Sequence, residues 1–198
     1  MTAVLFDLFG VIARQQSPAA CARLERTAGL PGAAFWESYW GLRQPYDRGD
    51  QNGAHYWRKV AAALGTHFDE ERVAELIAAD VASWSRIDDA MVDFVAGLAD
   101  GGTTIGLLSN IPEELAAHYE ENEEWLKHFS VLAFSCRIGH AKPEPDAYTW
   151  CSTAFGLPPE HILFVDDREA NVRAAEALGM RGHLFTSLAE LRPALDRH

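Results

Sequence analysis

Val4-Leu5-Phe6-Asp7-Leu8-Phe9-Gly10-Val11 is the stretch that organises the reading of this chain. Its apolar run begins at Ala3 and is short and unbroken. That pattern fits a strand buried on both faces of a parallel sheet. Asp7 ends the run, so its carboxylate stands at the strand's carboxyl end, where open α/β sheets bind their ligands. A carboxylate in that position can act as a nucleophile or hold a metal ion.

Four similar runs follow, at Thr103–Leu108, Val131–Phe134, His161–Val165 and Gly182–Phe185. Helical patterns lie between them. Asp89–Leu98 stops at Gly101-Gly102, and Pro112–Tyr119 opens on proline with Glu113 and Glu114 in its first turn. Asp146–Phe155 stops at Gly156, and Glu169–Leu178 at Gly179. The alternation predicts an α/β fold, a doubly wound parallel sheet of Rossmann-like type.

Residues 14–86 break the alternation and read as helices only. Ser17-Pro18 is a helix start and Gly29 a stop. Three apolar stripes at helical spacing follow: Phe35, Trp36, Tyr39 and Trp40; Tyr56, Trp57, Val60, Ala63 and Leu64; Val73, Leu76, Ile77, Val81 and Trp84. They predict a small helical bundle inserted into a core domain made of residues 1–13 and 87–198. Laid over the carboxyl edge of the sheet, such a bundle would serve as a lid, with a few stripe residues facing a substrate.

The chain of 198 residues carries 17 basic and 29 acidic side chains, a net charge of −12. That balance argues against nucleic acid or an anionic membrane as partner. No apolar stretch is long enough to span a bilayer, and Met1-Thr2 leads into the first strand without a secretory leader. The expectation is a cytoplasmic protein, monomer or homodimer, with Trp36, Trp40 and Trp57 as candidates for an exposed aromatic patch. Cys21, Cys136 and Cys151 lack metal-ligand spacing and read as reduced, mostly buried thiols.

Four polar sites succeed the strands in order. They are Asp7, Ser109-Asn110, Lys142 in the loop His140–Pro145, and Asp166-Asp167. All fall at one edge of a parallel sheet. Three crowded carboxylates raise one another's pKa unless a cation intervenes, and a hard oxygen cage suits Mg²⁺. Ser109 offers a hydroxyl, the helix start after it offers N–H donors, and Lys142 offers a point charge. This assembly meets the needs of phosphoryl transfer.

FDLFGV, LLSN, AKPEP and FVDDREANVRAAEALGM together resemble the four motifs of the haloacid dehalogenase-like hydrolase superfamily, in the branch with a helical cap after the first motif. RGDQNGAHYW and LLSNIPEE are most similar to the small sugar-phosphate phosphatases and the phosphatase domain of epoxide hydrolases. The resemblance implies Asp7 as nucleophile and metal ligand, forming an aspartyl-phosphate that is hydrolysed with Mg²⁺. It implies the Phe9 carbonyl and Asp167 as further metal ligands, with Asp166 beside them or behind. It also implies phosphate binding by Ser109 and Asn110, with Lys142 steadying the anion.

One position departs from the pattern. Phosphatases of this family carry a second Asp two residues after the nucleophile, and here it is Phe9. Losing that acid and base costs about 10²–10⁴-fold in rate. Asp47, Asp50 and His55 in the insert are candidate substitutes, and Arg43 and Arg48 candidate contacts to an anionic substrate. Asn171 is a candidate to hold Lys142 or a phosphate-loop group in place, while Glu113, Glu114 and the Glu120–Glu124 cluster read as solvated helix faces. Three functions stay open. One is a Mg²⁺-dependent phosphohydrolase of a small phosphorylated metabolite, slowed by Phe9. Another is a metal-independent 2-haloacid dehalogenase, since those enzymes carry an aromatic residue at this position. The third is a catalytically weak binding protein.

Overall fold

A computed structural model describes residues 3–196; the reading of Met1-Thr2 lies outside them. Strands β1 (Ala3–Phe6), β2 (Thr104–Ser109), β3 (Val131–Phe134), β4 (Ile162–Asp166) and β5 (Arg181–Leu184) form one sheet in the order β3-β2-β1-β4-β5. Every neighbouring pair is parallel. β1 is therefore central, and its residues alternate between two cores. Val4 and Phe6 face one cluster with Ile105, Leu107, Leu163 and Val165. Leu5 faces the other with Leu108, Ala133, Ile162 and Phe164. Burial on both faces explains why the strand sequences are apolar without alternation.

Helices cover both faces: α6 (Asp89–Asp100), α7 (Glu113–Asn122), α8 (Ser135–Ile138), α9 (Pro145–Phe155), α10 (Glu169–Ala177) and α11 (Leu188–Asp196). The predicted strands and helices all form, with ends shifted by a few residues. The chain runs outward from β1 through β2 to β3, then crosses back to β4 on the other side. The reversal lies beside β1, so the crevice of the sheet opens at its carboxyl end.

Between β1 and α6 lie α1 (Pro18–Ala28), α2 (Ala33–Gly41), α3 (Arg43–Asp47), α4 (Gly53–Ala63) and α5 (Glu70–Trp84). Ser17 caps α1 by accepting from the Ala20 N–H at 3.2 Å, and Gly29 ends it in the left-handed conformation. These helices enclose their own core of Leu24, Phe35, Tyr39, Tyr56, Trp57, Val60, Val73 and Leu76. Trp84 belongs instead to the core under the sheet. The two chain crossings into the insert run side by side, tied by Arg14 N–H to Arg86 carbonyl at 2.7 Å and Asp88 N–H to Ile12 carbonyl at 2.9 Å.

Three expectations change. Trp57 is fully buried and Trp36 half-buried, so of the three tryptophans only Trp40, 52% exposed, stands out in solvent. Glu114 is not a solvated face: its Oε1 accepts from the Gly53 N–H at 2.7 Å, clasping α7 to the first turn of α4, where a helix attracts negative charge. Of the free cysteines only Cys151 is buried, whereas Cys21 and Cys136 are half-buried. Among the described residues no helix is long and apolar enough to cross a membrane.

The insert and the sheet domain approach closely at Gly49. Its φ is +84°, and a Cβ there would lie 2.4 Å from the Cys136 carbonyl oxygen. Gly49→Ala is therefore expected to destabilise the protein by about 1–3 kcal/mol, through backbone strain and loss of that approach. Urea unfolding measures this, and an unchanged midpoint would contradict it.

Candidate active site

The last ladder bond of β1 places the first functional residue. Asp7 N–H donates to the Val165 carbonyl at 2.8 Å, so Asp7 continues the strand direction and emerges at the sheet edge. Its Oδ1 accepts from the Leu8 N–H at 2.6 Å and from Lys142 Nζ at 2.5 Å. Lys142 Nζ also lies 2.8 Å from Asp166 Oδ2. All three residues are buried. Asp166 is held further by Asn171 Nδ2, 3.0 Å from both oxygens, and by the Arg168 N–H at 2.8 Å. Both its oxygens are thus engaged with the protein. Asn171 reaches Lys142 only through Asp166.

Asp167 differs. Its Oδ2 accepts from Gln15 Nε2 at 3.1 Å, but its Oδ1 is buried without a partner among the described residues. Carboxylate oxygens of Asp7, Asp166 and Asp167 all lie within 4.8 Å of one another. Gly10 makes the closeness possible. At φ +89° it carries the chain past Asp167, and a Cβ there would sit 2.0 Å from Asp167 Oδ2. Burial, with repulsion from Asp166 and Asp167, pushes the Asp7 carboxyl up to about 7 against the opposing pull of Lys142. Asp167 is also raised, by burial and then by Asp166.

Ser109 Oγ is fully buried and, among the described residues, without a hydrogen-bond partner. Asn110 uses both ends of its amide on the backbone of Lys142, donating to the carbonyl and accepting from the N–H, each at 2.8 Å. It locks the lysine loop against the end of β2.

A cavity of about 810 Å³ opens at this edge of the sheet; Ser109 and Asp166, both fully buried, lie behind its lining. Asp7, Asn110, Lys142 and Asp167 line its floor, and Phe9, Trp40, Trp84, Arg43, Gln44 and Asp47 are on its walls. Phe9 does not fill the space. Its ring leans on Trp84 at 4.9 Å and on Tyr119 at 6.1 Å. The expected cap residues divide. Asp47 lines the cavity but is bound to Arg43 at 2.7 Å, whereas Asp50 is paired with Arg48 at 2.6 Å and His55 is exposed on α4; neither lines it. Arg43 is on the wall but buried, and it is shared with Asp80 at 2.8 Å. Arg48 pairs outward with Asp50 and Glu144.

Gln15 has no counterpart in the sequence reading. Its Nε2 donates to Asp167 and lies 3.5 Å from the Phe9 carbonyl. Nothing local marks a lone glutamine in a loop. Asp80 could have been found, because a charged residue interrupts the apolar stripe between Ile77 and Val81. It accepts from the Tyr39 hydroxyl at 2.6 Å, and that hydroxyl receives Arg43 at 2.7 Å and Trp84 Nε1 at 3.1 Å.

The family model of haloacid dehalogenase-like hydrolases matches residues 1–179. The chain belongs to that family. Among curated relatives, phosphoglycolate phosphatase of Escherichia coli (strain K12) is 30% identical over 89 residues, which is 45% of this chain and 35% of the relative. Bifunctional epoxide hydrolase 2 of Sus scrofa is 25% identical over 218 residues, covering 96% of this chain and 38% of the relative. The chain thus spans little more than a third of either relative's length. A family enzyme from Bacteroides thetaiotaomicron, in complex with magnesium and inorganic phosphate, shares the fold with TM-score 0.78 at 20% identity over 96% of this chain and 98% of that one. L-2-haloacid dehalogenase from Xanthobacter autotrophicus, with chloropropionic acid covalently bound, does so with TM-score 0.70 at 20% identity, covering 100% and 83%. This family member therefore has the α/β fold expected from its strand order.

The buried triad makes a stability prediction. Asp7 titrates from 3.8 up to about 7 on folding, so the metal-free fold binds an extra proton in that window and loses stability as pH rises through it. Lys142→Met is expected to cost about 3–5 kcal/mol at neutral pH in chelator. The deficit should narrow toward pH about 5, where the unpaired Asp7 is protonated. Denaturant unfolding across pH tests this, and a deficit independent of pH would contradict it.

Proposed function

We propose that this hydrolase is a Mg²⁺-dependent phosphohydrolase of small phosphorylated metabolites. The observation that carries the reading is a charge mismatch. Lys142 is spent on Asp7 and Asp166, and the third carboxylate, Asp167, keeps a buried oxygen with no partner among the described residues. An unpaired buried carboxylate is costly, and a divalent cation relieves it. The donors present fit that ion: Asp7, the Phe9 carbonyl and Asp167 would hold it, with Asp166 behind them fixing Lys142. Mg²⁺ bound there would neutralise a phosphoryl group and the charge that builds up on it.

The chain's own residues then divide the work. Asp7 Oδ1 is held by Leu8 N–H and Lys142, which leaves Oδ2 to attack phosphorus and form the aspartyl-phosphate. Lys142 lowers the charge on the attacking carboxylate. The unpartnered hydroxyl of Ser109 donates to a phosphate oxygen, and Asn110 holds the lysine loop in place beside it. The helical insert, residues 14–86, acts as the cap that excludes water and contacts the leaving group. A metal-free dehalogenase would leave Asp167 without a counter-charge.

Two outcomes test this. Phosphate release should require Mg²⁺ and vanish in Asp7→Asn, while Phe9→Asp should raise it by about 10²–10⁴-fold by restoring an acid and base. Metal-independent halide release from short 2-haloacids would favour the dehalogenase instead, and an inert wild type awakened by Phe9→Asp would mark a binding protein. Calorimetry separates metal binding from turnover. Gln15 donates to the Phe9 carbonyl, an expected ligand atom, and to Asp167 Oδ2 beside the unpartnered Oδ1, and so competes with the ion for the carbonyl. With that competitor gone, Mg²⁺ should bind more tightly to Gln15→Ala, and at least about tenfold weaker to Asp167→Asn, which loses a charged ligand.

A further inference from the structure

The wall of the cavity opposite Asp7 is aromatic where it meets the reacting centre. Phe9, Trp84 and Trp40 follow one another from the floor to the mouth, with ring centroids 4.9 Å apart for Phe9–Trp84 and 6.0 Å for Trp40–Trp84. Trp84 is pinned by its indole N–H to Tyr39, and the Trp40 ring lies 4.8 Å from the Tyr39 ring. The rings are therefore held in place before any ligand arrives. Trp40 nonetheless leaves 52% of its surface in water. A planar apolar group seated there would remove that surface from solvent.

Arg43, beside these rings, is bonded to both Asp47 and Asp80, so its charge is already neutralised. The other arginine that lines the cavity is Arg168, next to Asp167 in the chain. On the side of Phe9, Trp84 and Trp40 the lining therefore offers apolar rings rather than a free charge.

We propose that the substrates of this site are phosphate monoesters of aromatic alcohols, with the ring lying against Phe9, Trp84 and Trp40. The proposal rests on the phosphohydrolase reading and names its substrate class. Chemistry and shape agree. With Phe9 in the acid's position, nothing there protonates the departing oxygen, so the leaving group must be stable as an anion. A phenol such as that of tyrosine titrates at about 10, well below an aliphatic alcohol. Asp7 Oδ2 forms a bond to phosphorus, the phosphorus–aryl oxygen bond breaks, and its electron pair leaves on the phenolate. Water then attacks phosphorus, the bond to Asp7 breaks, and Asp7 departs as a carboxylate that needs no proton. One proton of that water stays on the inorganic phosphate and the other goes to the phenolate.

The test compares kcat/KM for substituted phenyl phosphates, cyclohexyl phosphate and acetyl phosphate in Mg²⁺. Phenyl phosphate should exceed cyclohexyl phosphate by at least about 10²-fold, rates should climb as the phenol becomes more acidic, and Phe9→Asp should shrink the phenyl-to-cyclohexyl gap. Trp40→Ala should raise KM for phenyl phosphate about threefold to tenfold with kcat nearly unchanged. Equal rates for phenyl and cyclohexyl phosphate, or a KM indifferent to Trp40→Ala, would overturn the proposal. Hydrolysis of acetyl phosphate with refusal of every aryl phosphate would overturn it and leave the phosphohydrolase standing. Refusal of all three would sink both.

Discussion

One lysine ammonium between two carboxylates is the constraint around which the site is built. Lys142 Nζ touches Asp7 at the end of β1 and Asp166 at the end of β4, and all three are buried. Taking three charges out of water is unfavourable unless each is paired and hydrogen-bonded. The surrounding residues meet that condition one by one. Leu8 N–H serves Asp7, Asn171 and Arg168 N–H serve Asp166, and Asn110 grips the backbone that carries Lys142. Residues from three strand ends and one loop are thereby locked into a single arrangement. Asp167 is the exception: among the described residues its Oδ1 has no partner.

The insert is tied to this arrangement by a second polar cluster. Tyr39, Arg43 and Asp80 form a buried network inside helices that are otherwise apolar. Its chemical effect is to use up the arginine's charge. Its mechanical effect is to hold Trp84, whose backbone carbonyl also receives the Tyr119 hydroxyl from α7 at 2.7 Å. Trp84 thus belongs to the sheet domain's core while forming the cavity's wall. The wall and the floor are positioned by the same packed residues.

Phe9 joins the two parts. Its backbone carbonyl faces the acidic cluster through Gln15, and its ring continues the aromatic wall toward Trp84. Where a carboxylate would move protons, a ring supplies contact area.

Much of this was legible in the chain itself. Unbroken apolar runs such as Val4–Phe6 report strands buried on both faces, and a polar residue at the end of each run must fall at one edge of a parallel sheet. Asp7, Ser109, Lys142 and Asp166-Asp167 could therefore be grouped from order alone, whereas the missing acid at Phe9 was legible only through the resemblance to the family. Capping chemistry likewise marked Ser17 and Gly29, because it is local. Tertiary structure alone decided what depends on distance across the fold. Sequence order could not say that Asp166 is saturated while Asp167 is not, since that rests on Asn171, Arg168 and Gln15 approaching from separate elements. Nor could it say that Arg43 is neutralised by Asp80, or that Glu114 clasps α4 and Trp57 is buried while Trp40 is exposed. Periodicity shows that a helix has an apolar face. Which neighbour covers it, and which charge meets which, is set only when the helices pack.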